Sequence, residues 1–469
     1  FSMVHALERV VTNWLSHPFY THAEGIMPFG EDLDFTAFWA NPSPLSTFES
    51  HIDPVWIDEA LRATGTASLR RRRLPADQVV WLVLGMGLFR DRPINEVVDK
   101  LDLTLLDEQN PSVSSSASCQ ARRRLGDKPL AWLFSHTANH WAFERADKQR
   151  WRGLALFGVD GTSMRVPDTP ENAEYFGYPP TGRDESSYPQ LRLNALLALR
   201  SHLLAAVAFG PYQRGETAYA DQLWDQIPDN SLTLLDRQYL FPDALVSLEQ
   251  SGQQRHWMTR AKKNTRWRII QRLGPHEAIV EMTVSRQARA KNPDLPRTWT
   301  ARAIGYEIKG KYSGYLLTSL LDSKAYPADE LVSLYPERWE HEQGYDELKT
   351  ELLDGAPVLR SKTPKMIDQE VWGILLAYNL VRLEMAQIAD EAGVEPTRIS
   401  FVTSLRFIQD EWLWCAVASP GSIPKHLKRL RRDIKRFILP PRRNRSNPRE
   451  VKIKMSGYPR KRRAPPGRT

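Results

Sequence analysis

Residues 335–353, with the sequence YPERWEHEQGYDELKTELL, place an aromatic residue, two cations and a carboxylate at gaps of three, four and seven positions. Pro336 suits the first turn of a helix, because the N–H that proline lacks has no partner there. The stretch therefore predicts a helix over about 336–353.

Four side chains of this helix would point in related directions. Because an α-helix advances about 100° per residue, Arg338, Glu342 and Lys349 fall within an arc of roughly 40°. Tyr335 would lie where the same face begins. A carboxylate flanked by an aromatic ring and two cations could hold a metal ion beside a phosphate. The same spacing also fits a solvated helix with ion pairs four residues apart, such as Arg338 with Glu342.

Two short apolar runs end in an acid and predict buried strands. They are LALFGVD at 154–160 and SLTLLD at 231–236, and their last residues are Asp160 and Asp236. Strands mixed with helices, with acids at strand ends, indicate an α/β core with a site at the edge of the sheet. Together with Glu342, the two acids form a carboxylate set that suits one or two Mg²⁺ ions. Alternatively, Asp160 and Asp236 simply cap the turns that follow their strands.

The composition of the 469-residue chain restricts its class. Hydrophobic residues make up 41% of it, which is enough to bury a globular core. No run of about 18 apolar residues occurs, so we expect no membrane span, and the first residues predict no signal peptide. The two cysteines exclude a disulfide framework and a thiolate zinc site. They fit a reducing compartment, and we expect a cytoplasmic protein.

The net charge of +8 is unevenly distributed along the chain. Residues 425–469 hold 18 Lys and Arg against two acids, a balance of +16 that leaves −8 for the other residues. The basic, Pro-rich composition of this tail predicts disorder. Such a tail is typical of a contact with nucleic acid or another anionic surface, although it would also serve as a solubilising extension.

Residues 1–150 have a pattern that predicts helices. An apolar run at 78–89 and helical spacing at 92–101 are followed by SSSASCQARRRLG at 114–126, which opens with possible Ser caps and ends at a glycine. A helix, a short helix and a basic helix in succession resemble a helix-turn-helix arrangement. An ordinary helical bundle with a basic surface is the alternative. The basic residues expected to contact DNA here are Arg122, Arg123 and Arg124.

The rest of the chain divides into a core and an insertion. Residues 151–252 and 331–424 make up the predicted α/β core. The segment between them, 253–330, holds short runs rich in β-branched and aromatic residues, which predict a β-rich insertion. The sequence LRSK, which follows the predicted helix, contains Arg360 and Lys362. These two cations could clamp a DNA backbone or remain solvated.

Three blocks of the sequence carry a family pattern. They are VDGTSMRVPDT at 159–169, LLDRQY at 234–239 and the Tyr-x2-Arg-x3-Glu-x6-Lys series at 335–349. These blocks resemble the signature of the insertion sequence 4 family of DDE transposases, and the last one matches it at all four positions. The resemblance covers roughly residues 30–420. The basic helix SASCQARRRLG is also similar to the N-terminal domain of this family.

The resemblance implies an RNase H-like catalytic core with a β-rich insertion, preceded by an all-α N-terminal domain that binds DNA. It implies that Asp160, Asp236 and Glu342 are catalytic and hold Mg²⁺ or Mn²⁺, with two ions expected. Our placement of strands and helix, which came from local patterns, agrees with this arrangement.

The same resemblance implies cut-and-paste transposition at the inverted-repeat ends of an insertion sequence. A freed 3′-hydroxyl would attack the opposite strand to give hairpin ends, which are reopened and joined to target DNA. Tyr335, Arg338 and Lys349 would contact phosphates near the transposon end. The expected partners are double-stranded DNA and a second copy of the chain, in a bacterial cytoplasm and associated with the nucleoid.

Two positions depart from the family's pattern. Gln238 stands where the second block commonly has glycine, and it would be strained if that position needs a positive φ. Tyr315 stands where hairpin-forming relatives can have a Trp that stacks on a flipped base, and Trp299 and Trp257 elsewhere in the insertion are the other candidates. Packing in the core is the alternative role for all three. Three other functions stay open: a domesticated DNA-binding protein that no longer cuts, a metal-dependent nuclease of the same fold, and a non-enzymatic scaffold that binds nucleic acid through its basic tail.

Overall fold

The computed structural model describes most of the chain beyond residue 50. The described residues are 51–67, 74–101, 103, 113–180, 186–308, 312–355, 358–415 and 423–440. Residues 1–50 of the predicted helical region and residues 441–469 of the predicted tail lie outside this part of the chain.

The described residues before 150 form helices and contain no strand. The helices are α1 (Pro54–Ala63), α2 (Ala76–Leu88), α3 (Ile94–Lys100), α4 (Ser115–Leu125) and α5 (Lys128–Lys148). Helix α4 begins as its sequence predicts, because the Ser114 hydroxyl accepts a hydrogen bond from the Ala117 N–H at 3.2 Å. It ends at Gly126, whose φ of 70° suits glycine.

A single sheet organises the residues that follow. Its strands are β1 (Ala155–Arg165), β2 (Gln190–Ala198), β3 (Leu203–Pro211), β4 (Ser231–Leu235), β5 (Arg255–Arg260), β6 (Arg268–Gly274), β7 (Glu277–Thr283), β8 (Thr298–Ile308) and β9 (Tyr312–Thr318). Hydrogen bonding gives the order β3-β2-β1-β4-β5-β9-β8-β7-β6. Strands β1, β4 and β5 are parallel, and the other pairings are antiparallel. The prediction of a mixed α/β protein is therefore confirmed.

The predicted β-rich insertion is continuous with the core sheet. Strand β5, at the start of residues 253–330, pairs in parallel with β4 and so belongs to the core. Strand β9 pairs with β5, and β8, β7 and β6 extend the sheet outward. The outermost strand, β6, is exposed for most of its length, and its register shifts at Ile269/Gln271 and at Arg272/Gly274.

The later helices pack around this sheet. They are α6 (Pro170–Phe176), α7 (Glu216–Ala220), α8 (Pro242–Gln250), α9 (Arg286–Lys291), α10 (Ala328–Leu334), α11 (Trp339–Asp346), α12 (Pro364–Ala392), α13 (Phe401–Cys415) and α14 (Ile423–Ile434). Helices α5 and α12 lie against β3, and α8 lies against β5. Within the described residues, every helix is too short or too polar to cross a bilayer.

Helix α12 joins the N-terminal helices to the α/β core. It is buried along nearly its whole length and contacts α2, α5 and β3. Helices α2 and α12 approach each other closely at Gly373, where an added Cβ would lie 2.5 Å from Cγ1 of Val83 and 2.7 Å from its main-chain oxygen. The buried residues on both sides of the boundary predicted near residue 150 therefore belong to one continuous hydrophobic core.

We expect Gly373→Ala to lower the melting temperature. Overpacking a core costs about 1–3 kcal/mol, which outweighs the roughly 1 kcal/mol that alanine gains over glycine in a helix. Circular dichroism during heating measures the change. Gly274→Ala is the control, because its Cβ would lie 3.7 Å from the nearest atom, at Glu277. Equal melting temperatures for the two variants would contradict the close approach of α2 and α12.

The segment at 335–353 is helical but irregular. Residues Tyr335–Arg338 form a 3₁₀ turn, Trp339–Asp346 form α11, and Glu347–Leu352 form a π-helical turn. The predicted helix over about 336–353 is therefore confirmed in its extent, but only its middle part, Trp339–Asp346, has α-helical geometry. The π-helical turn buries Leu348 and Leu352.

The C-terminal segment is ordered for longer than its composition predicts. Residues 425–434 belong to α14, in which Leu430 and Ile434 are buried. Arg431 donates hydrogen bonds to Glu384 and to other residues of α12. The prediction of disorder from residue 425 onward is therefore wrong for this part, because an amphipathic helix lies within the basic composition.

Candidate active site

Two of the predicted catalytic acids lie side by side on adjacent parallel strands. Val159 of β1 pairs with Leu235 of β4, and the next residues along the two strands are Asp160 and Asp236. Neighbouring strands lie about 4.8 Å apart. The parallel register therefore brings the two carboxylates to the same level of the sheet.

The next strand adds a cation that the sequence analysis missed. Leu235 also pairs with Thr259 of β5, so Arg260 stands at the level of Asp236. One terminal nitrogen of Arg260, Nη2, lies 3.8 Å from Oδ2 of Asp236. The signal that would have identified Arg260 is its position at the end of a strand, but only if β5 were known to run parallel to β4.

The pKa of the Asp160 carboxyl is shifted mainly by burial, and neighbouring groups modify the shift. Burial raises the pKa of Asp160 to about 6. The Gly161 N–H, which donates at 2.9 Å, and Arg338 oppose this rise, whereas the charges of Asp236 and Glu342 add to it. The three carboxylates repel one another, and a bound cation would relieve that repulsion.

Arg338 links the 3₁₀ turn at 335–338 to both α11 and β1. Its Nη2 donates to Oε1 of Glu342 at 2.8 Å, and its Nη1 lies 3.9 Å from Oδ2 of Asp160. The guanidinium therefore brings Glu342 and Asp160 to one place, although they come from segments far apart in the chain.

The other two members of the series also reach the strand ends. The Tyr335 hydroxyl donates to the main-chain oxygen of Leu235 at 3.0 Å, and burial raises its pKa. Lys349 donates through Nζ to Oγ1 of Thr162 at 3.2 Å, and burial lowers its pKa. Both side chains therefore lie at the edge of the sheet that carries the acids.

Tyr345 is a further residue of this edge that the sequence analysis did not select. Its hydroxyl donates to the main-chain oxygen of Asp160 at 2.7 Å. Burial raises the pKa of Tyr345 well above the usual range, so the hydroxyl keeps its proton and can donate. The sequence did contain a signal for Tyr345, because it lies three residues after Glu342 and residues three apart share one face of a helix.

The donor chemistry of the three acids fits a divalent cation. Mg²⁺ and Mn²⁺ prefer carboxylate oxygens, and Asp160, Asp236 and Glu342 supply three carboxylates at one edge of the sheet. Within the described residues, no three His, Cys, Asp or Glu side chains already converge tightly enough to hold a metal ion. A cation would therefore have to draw these carboxylates together, and Arg338 now lies between two of them.

Arg122 does not face solvent. It is 4% exposed, and it donates to Oε1 of Gln369 at 2.9 Å and to Oγ of Ser361 at 3.1 Å. Its guanidinium thus joins α4 to α12 and to the loop before α12. This burial contradicts the prediction that Arg122 contacts DNA.

Arg360 is likewise engaged within the protein. Its guanidinium donates to the main-chain oxygens of Arg92 at 2.9 Å and of Phe89 at 3.4 Å. Burial lowers its pKa to about 10, and the nearby Arg90 acts in the same direction. These bonds hold the loop before α12 against the end of α2, which is a structural task rather than the predicted DNA clamp. The predicted DNA contacts that are exposed are Arg123, Arg124 and Lys362.

Gln238 fits the turn after β4 without strain. It lies in the 3₁₀ turn Arg237–Tyr239, and it is not among the described residues with a positive φ. Its N–H donates to Oδ1 of Asp236 at 3.0 Å. The expected strain from replacing the family's glycine is therefore absent at this position.

Comparison with known proteins gives matches over most of the chain. Residues 42–135 match the model of the insertion element 4 transposase N-terminal region, and residues 151–380 match the transposase DDE domain. The chain is 38% identical over 435 residues to the transposase InsG for insertion sequence element IS4 of Escherichia coli (strain K12), covering 92% of this chain and 98% of that protein. It is 39% identical over 249 residues to the putative transposase InsZ of the same strain, covering 52% of this chain and 82% of that protein.

Solved structures also align with the chain. Among them is the piggyBac transposase synaptic complex with hairpin DNA, for which the alignment covers 87% of this chain and 88% of that chain at 13% identity and a TM-score of 0.40. The match to the transposase DDE domain and the similarity to InsG, by contrast, extend through the residues that build the site. The chain therefore belongs to the insertion sequence 4 family of DDE transposases, enzymes that cleave DNA strands and transfer them.

Proposed function

We propose that this transposase cleaves and joins DNA by metal-dependent chemistry at Asp160, Asp236 and Glu342. The observation that carries the proposal is the parallel register of β1 and β4, which sets Asp160 beside Asp236. The ion pairs of Arg338 bring Glu342 to the same place. Mg²⁺ or Mn²⁺, bound there as two ions, would activate the attacking oxygen and stabilise the leaving one.

The remaining residues of the site would position the DNA backbone. Arg338 and Lys349 place positive charge beside the carboxylates, and the Tyr335 hydroxyl offers a neutral donor at the same edge. Arg and Lys side chains and hydroxyls are the usual partners of phosphate oxygens, and they fix register without reading sequence. We propose that Arg123, Arg124 and Lys362 add phosphate contacts from the exposed surface.

We interpret the core as RNase H-like. The order β3-β2-β1-β4-β5, with three parallel strands next to an antiparallel pair, supports this interpretation. The helices before residue 150 would form the all-α DNA-binding domain, residues 151–252 and 331–424 the core, and residues 253–330 the insertion. The basic residues beyond 425 would add a nonspecific attraction to DNA that weakens with salt.

The insertion supports the proposal that cut-and-paste proceeds through hairpin ends. A cavity of about 490 Å³ is lined by Lys262, Lys263, Trp267 and Tyr315, among others. Tyr315 is 42% exposed and meets Trp267 edge to face, with ring centroids 5.3 Å apart. Aromatic rings beside cations suit a base that has left the duplex. The two other aromatic candidates lie in the core: Trp257 and Trp299.

The proposed partners are the inverted-repeat ends of the element, target DNA and a second copy of the chain. Two ends must be held together while both are joined to one target, which is why we propose a homodimer on DNA. A chromosomal substrate predicts a cytoplasmic, nucleoid-associated protein.

Cleavage of a labelled duplex tests the proposal. The duplex carries the inverted repeats that flank this gene, and the full-length protein is added with Mg²⁺, with Mn²⁺ or with a chelator. We expect metal-dependent cuts at the repeat ends on a denaturing gel, and a hairpin product of doubled strand length. Specific binding without cutting in either metal would favour a domesticated DNA-binding protein. Cutting with no preference for the repeat ends would favour a nuclease.

A further inference from the structure

A fourth carboxylate, Glu216, lies beside the Asp160–Asp236 edge of the sheet. It is the first residue of α7 and is half-buried against β1. A Cβ built on Gly161, the residue after Asp160, would lie 2.6 Å from Cδ of Glu216 and 2.9 Å from its Oε1. The Glu216 side chain can therefore occupy this place only because residue 161 is a glycine.

Glu216 also holds the turn that follows Asp236. The Tyr239 hydroxyl donates to Oε1 of Glu216 at 2.8 Å, and the side-chain amide of Gln238 donates to the same oxygen. Both donors belong to the 3₁₀ turn Arg237–Tyr239, which Asp236 caps. A single carboxylate oxygen thus receives two hydrogen bonds from one short turn.

Strand β2 provides a second link between the turn after β4 and β1. Nδ2 of Asn194 donates to the Tyr239 hydroxyl at 3.0 Å, and Asn194 pairs with Gly161 between β2 and β1. Asn194 and Tyr239 are both fully buried, so packing and hydrogen bonds together fix the hydroxyl. The turn after β4 is therefore connected to β1 in two ways, through Glu216 and through Asn194 of β2.

We propose that Glu216 is a positioning residue that fixes Asp236 relative to Asp160 and so sets the spacing of the metal-binding carboxylates. The inference rests on the proposed function, because this spacing matters only if the two acids bind a cation. The proposal also assigns a role to Gln238, because its side-chain amide donates a hydrogen bond to Glu216 that the glycine common in the family could not donate. Partners that hold metal ligands in place change metal affinity by about 10–100-fold when they are removed.

Two substitutions separate the hydrogen bonds of Glu216 from its charge. Glu216→Ala removes the acceptor oxygen, whereas Glu216→Gln keeps an acceptor at the same place and removes only the negative charge. The readout is isothermal titration of Mn²⁺ into the full-length protein bound to a precut repeat end, which has no bond left to cleave. Duplex affinity and melting temperature are measured on the same samples.

We expect Glu216→Ala to weaken Mn²⁺ binding about tenfold at unchanged duplex affinity, and Glu216→Gln to retain most of the Mn²⁺ affinity. Equal losses in both variants would overturn the proposal, because they would make the charge of Glu216 the important property. Unchanged Mn²⁺ affinity in Glu216→Ala would overturn it directly.

Asp236→Asn distinguishes a failure of this inference from a failure of the proposed function. If Asp236→Asn loses Mn²⁺ affinity and Glu216→Ala does not, only the positioning role of Glu216 is wrong. If Asp236→Asn binds Mn²⁺ as tightly as the wild type, the proposed metal site is wrong and the inference falls with it.

Gln238→Ala tests the same connection from the exposed side of the turn, where substitution leaves the core intact. We expect a smaller loss of Mn²⁺ affinity than in Glu216→Ala. We expect no further loss when the two changes are combined, because both remove one shared hydrogen bond. Additive losses in the double variant would show that the residues act independently, and would overturn the proposal even if Glu216→Ala folds poorly.

Discussion

Glu342→Gln should reduce cleavage of the repeat duplex by more than about 100-fold, because losing even an outer partner of a metal ligand costs 10–100-fold. The amide keeps the shape of the side chain. It can still accept the hydrogen bond that Arg338 now donates to Glu342 at 2.8 Å. The fold and the affinity for the duplex should therefore be unchanged, as gel-shift and cleavage assays in one buffer would show.

Glu351→Gln is the matched control for this loss. Glu351 lies on the π-helical turn of the same segment and is partly exposed, so the same chemical change should leave cleavage at the wild-type rate. Undiminished cutting by Glu342→Gln would remove Glu342 from the proposed metal site. A loss of duplex binding together with cutting would instead make Glu342 a residue that holds DNA or the fold.

Glu370→Ala should lower the free energy of unfolding by about 3–5 kcal/mol, the cost of removing one partner of a buried ion pair. The Glu370 carboxylate accepts hydrogen bonds from Arg90 at 2.5 Å and from the main-chain N–H groups of Arg360 at 2.9 Å and Ser361 at 2.8 Å. Alanine would leave the Arg90 guanidinium, whose side chain is 5% exposed, without this counter-charge.

Glu391→Ala on the same helix provides the comparison. Glu391 pairs with Arg431 and Lys435 at the surface, with 41% of its side chain exposed. Exposed ion pairs contribute about 0–1 kcal/mol. Urea unfolding followed by tryptophan fluorescence should therefore shift far more in Glu370→Ala than in Glu391→Ala. Equal shifts would mean that the buried pair adds nothing beyond a surface one.

Lowering the pH should remove the contribution of the buried Arg90–Glu370 ion pair to the free energy of unfolding. Burial by itself raises the pKa of Glu370, but Arg90 and the hydrogen bonds from Ser361 and Arg360 outweigh it and hold the pKa below the ordinary value for glutamate. The stabilisation is therefore present above the ordinary pKa of glutamate and is lost as the pH falls through the lowered value. The difference in melting temperature between wild type and Glu370→Ala should shrink in acid.

Asp160 and Asp236 could be predicted because parallel strands that are buried on both faces have sequences of continuous apolar residues, and each acid ends such a run. The prediction that both acids end their strands is correct for Asp236, which directly follows β4. It is wrong for Asp160, because β1 continues beyond it to Arg165. Arg260 could not be found in this way, because its place depends on which strand pairs with β4. Which strands pair with each other is a property of the whole sheet, and the local sequence does not indicate it.

Arg122 shows how local charge can mislead. It stands between Ala121 and Arg123 in a basic run, which suggested a surface. Ser118, Ala121 and Leu125 are nevertheless the buried positions of α4, and Arg122 falls on their side of the helix. Its partners lie 239 and 247 residues away along the chain, so no local pattern could supply them.

The order of the strands also decides where this sheet can be joined by another chain. If β9 were missing, β5 would be an edge strand with unpaired main-chain groups beside Arg260. Because β9 pairs with β5, the edge on this side of the sheet is instead β6, four strands away. An open edge invites strand addition, and β6 exposes two isoleucines, Ile269 and Ile270. Its two breaks in register and the charges of Arg268 and Arg272 oppose that addition. Of the two outer strands, β3 and β6, the exposed one is thus the one farther from the acids. Its irregular backbone and its cationic side chains oppose pairing with a strand of a neighbouring molecule.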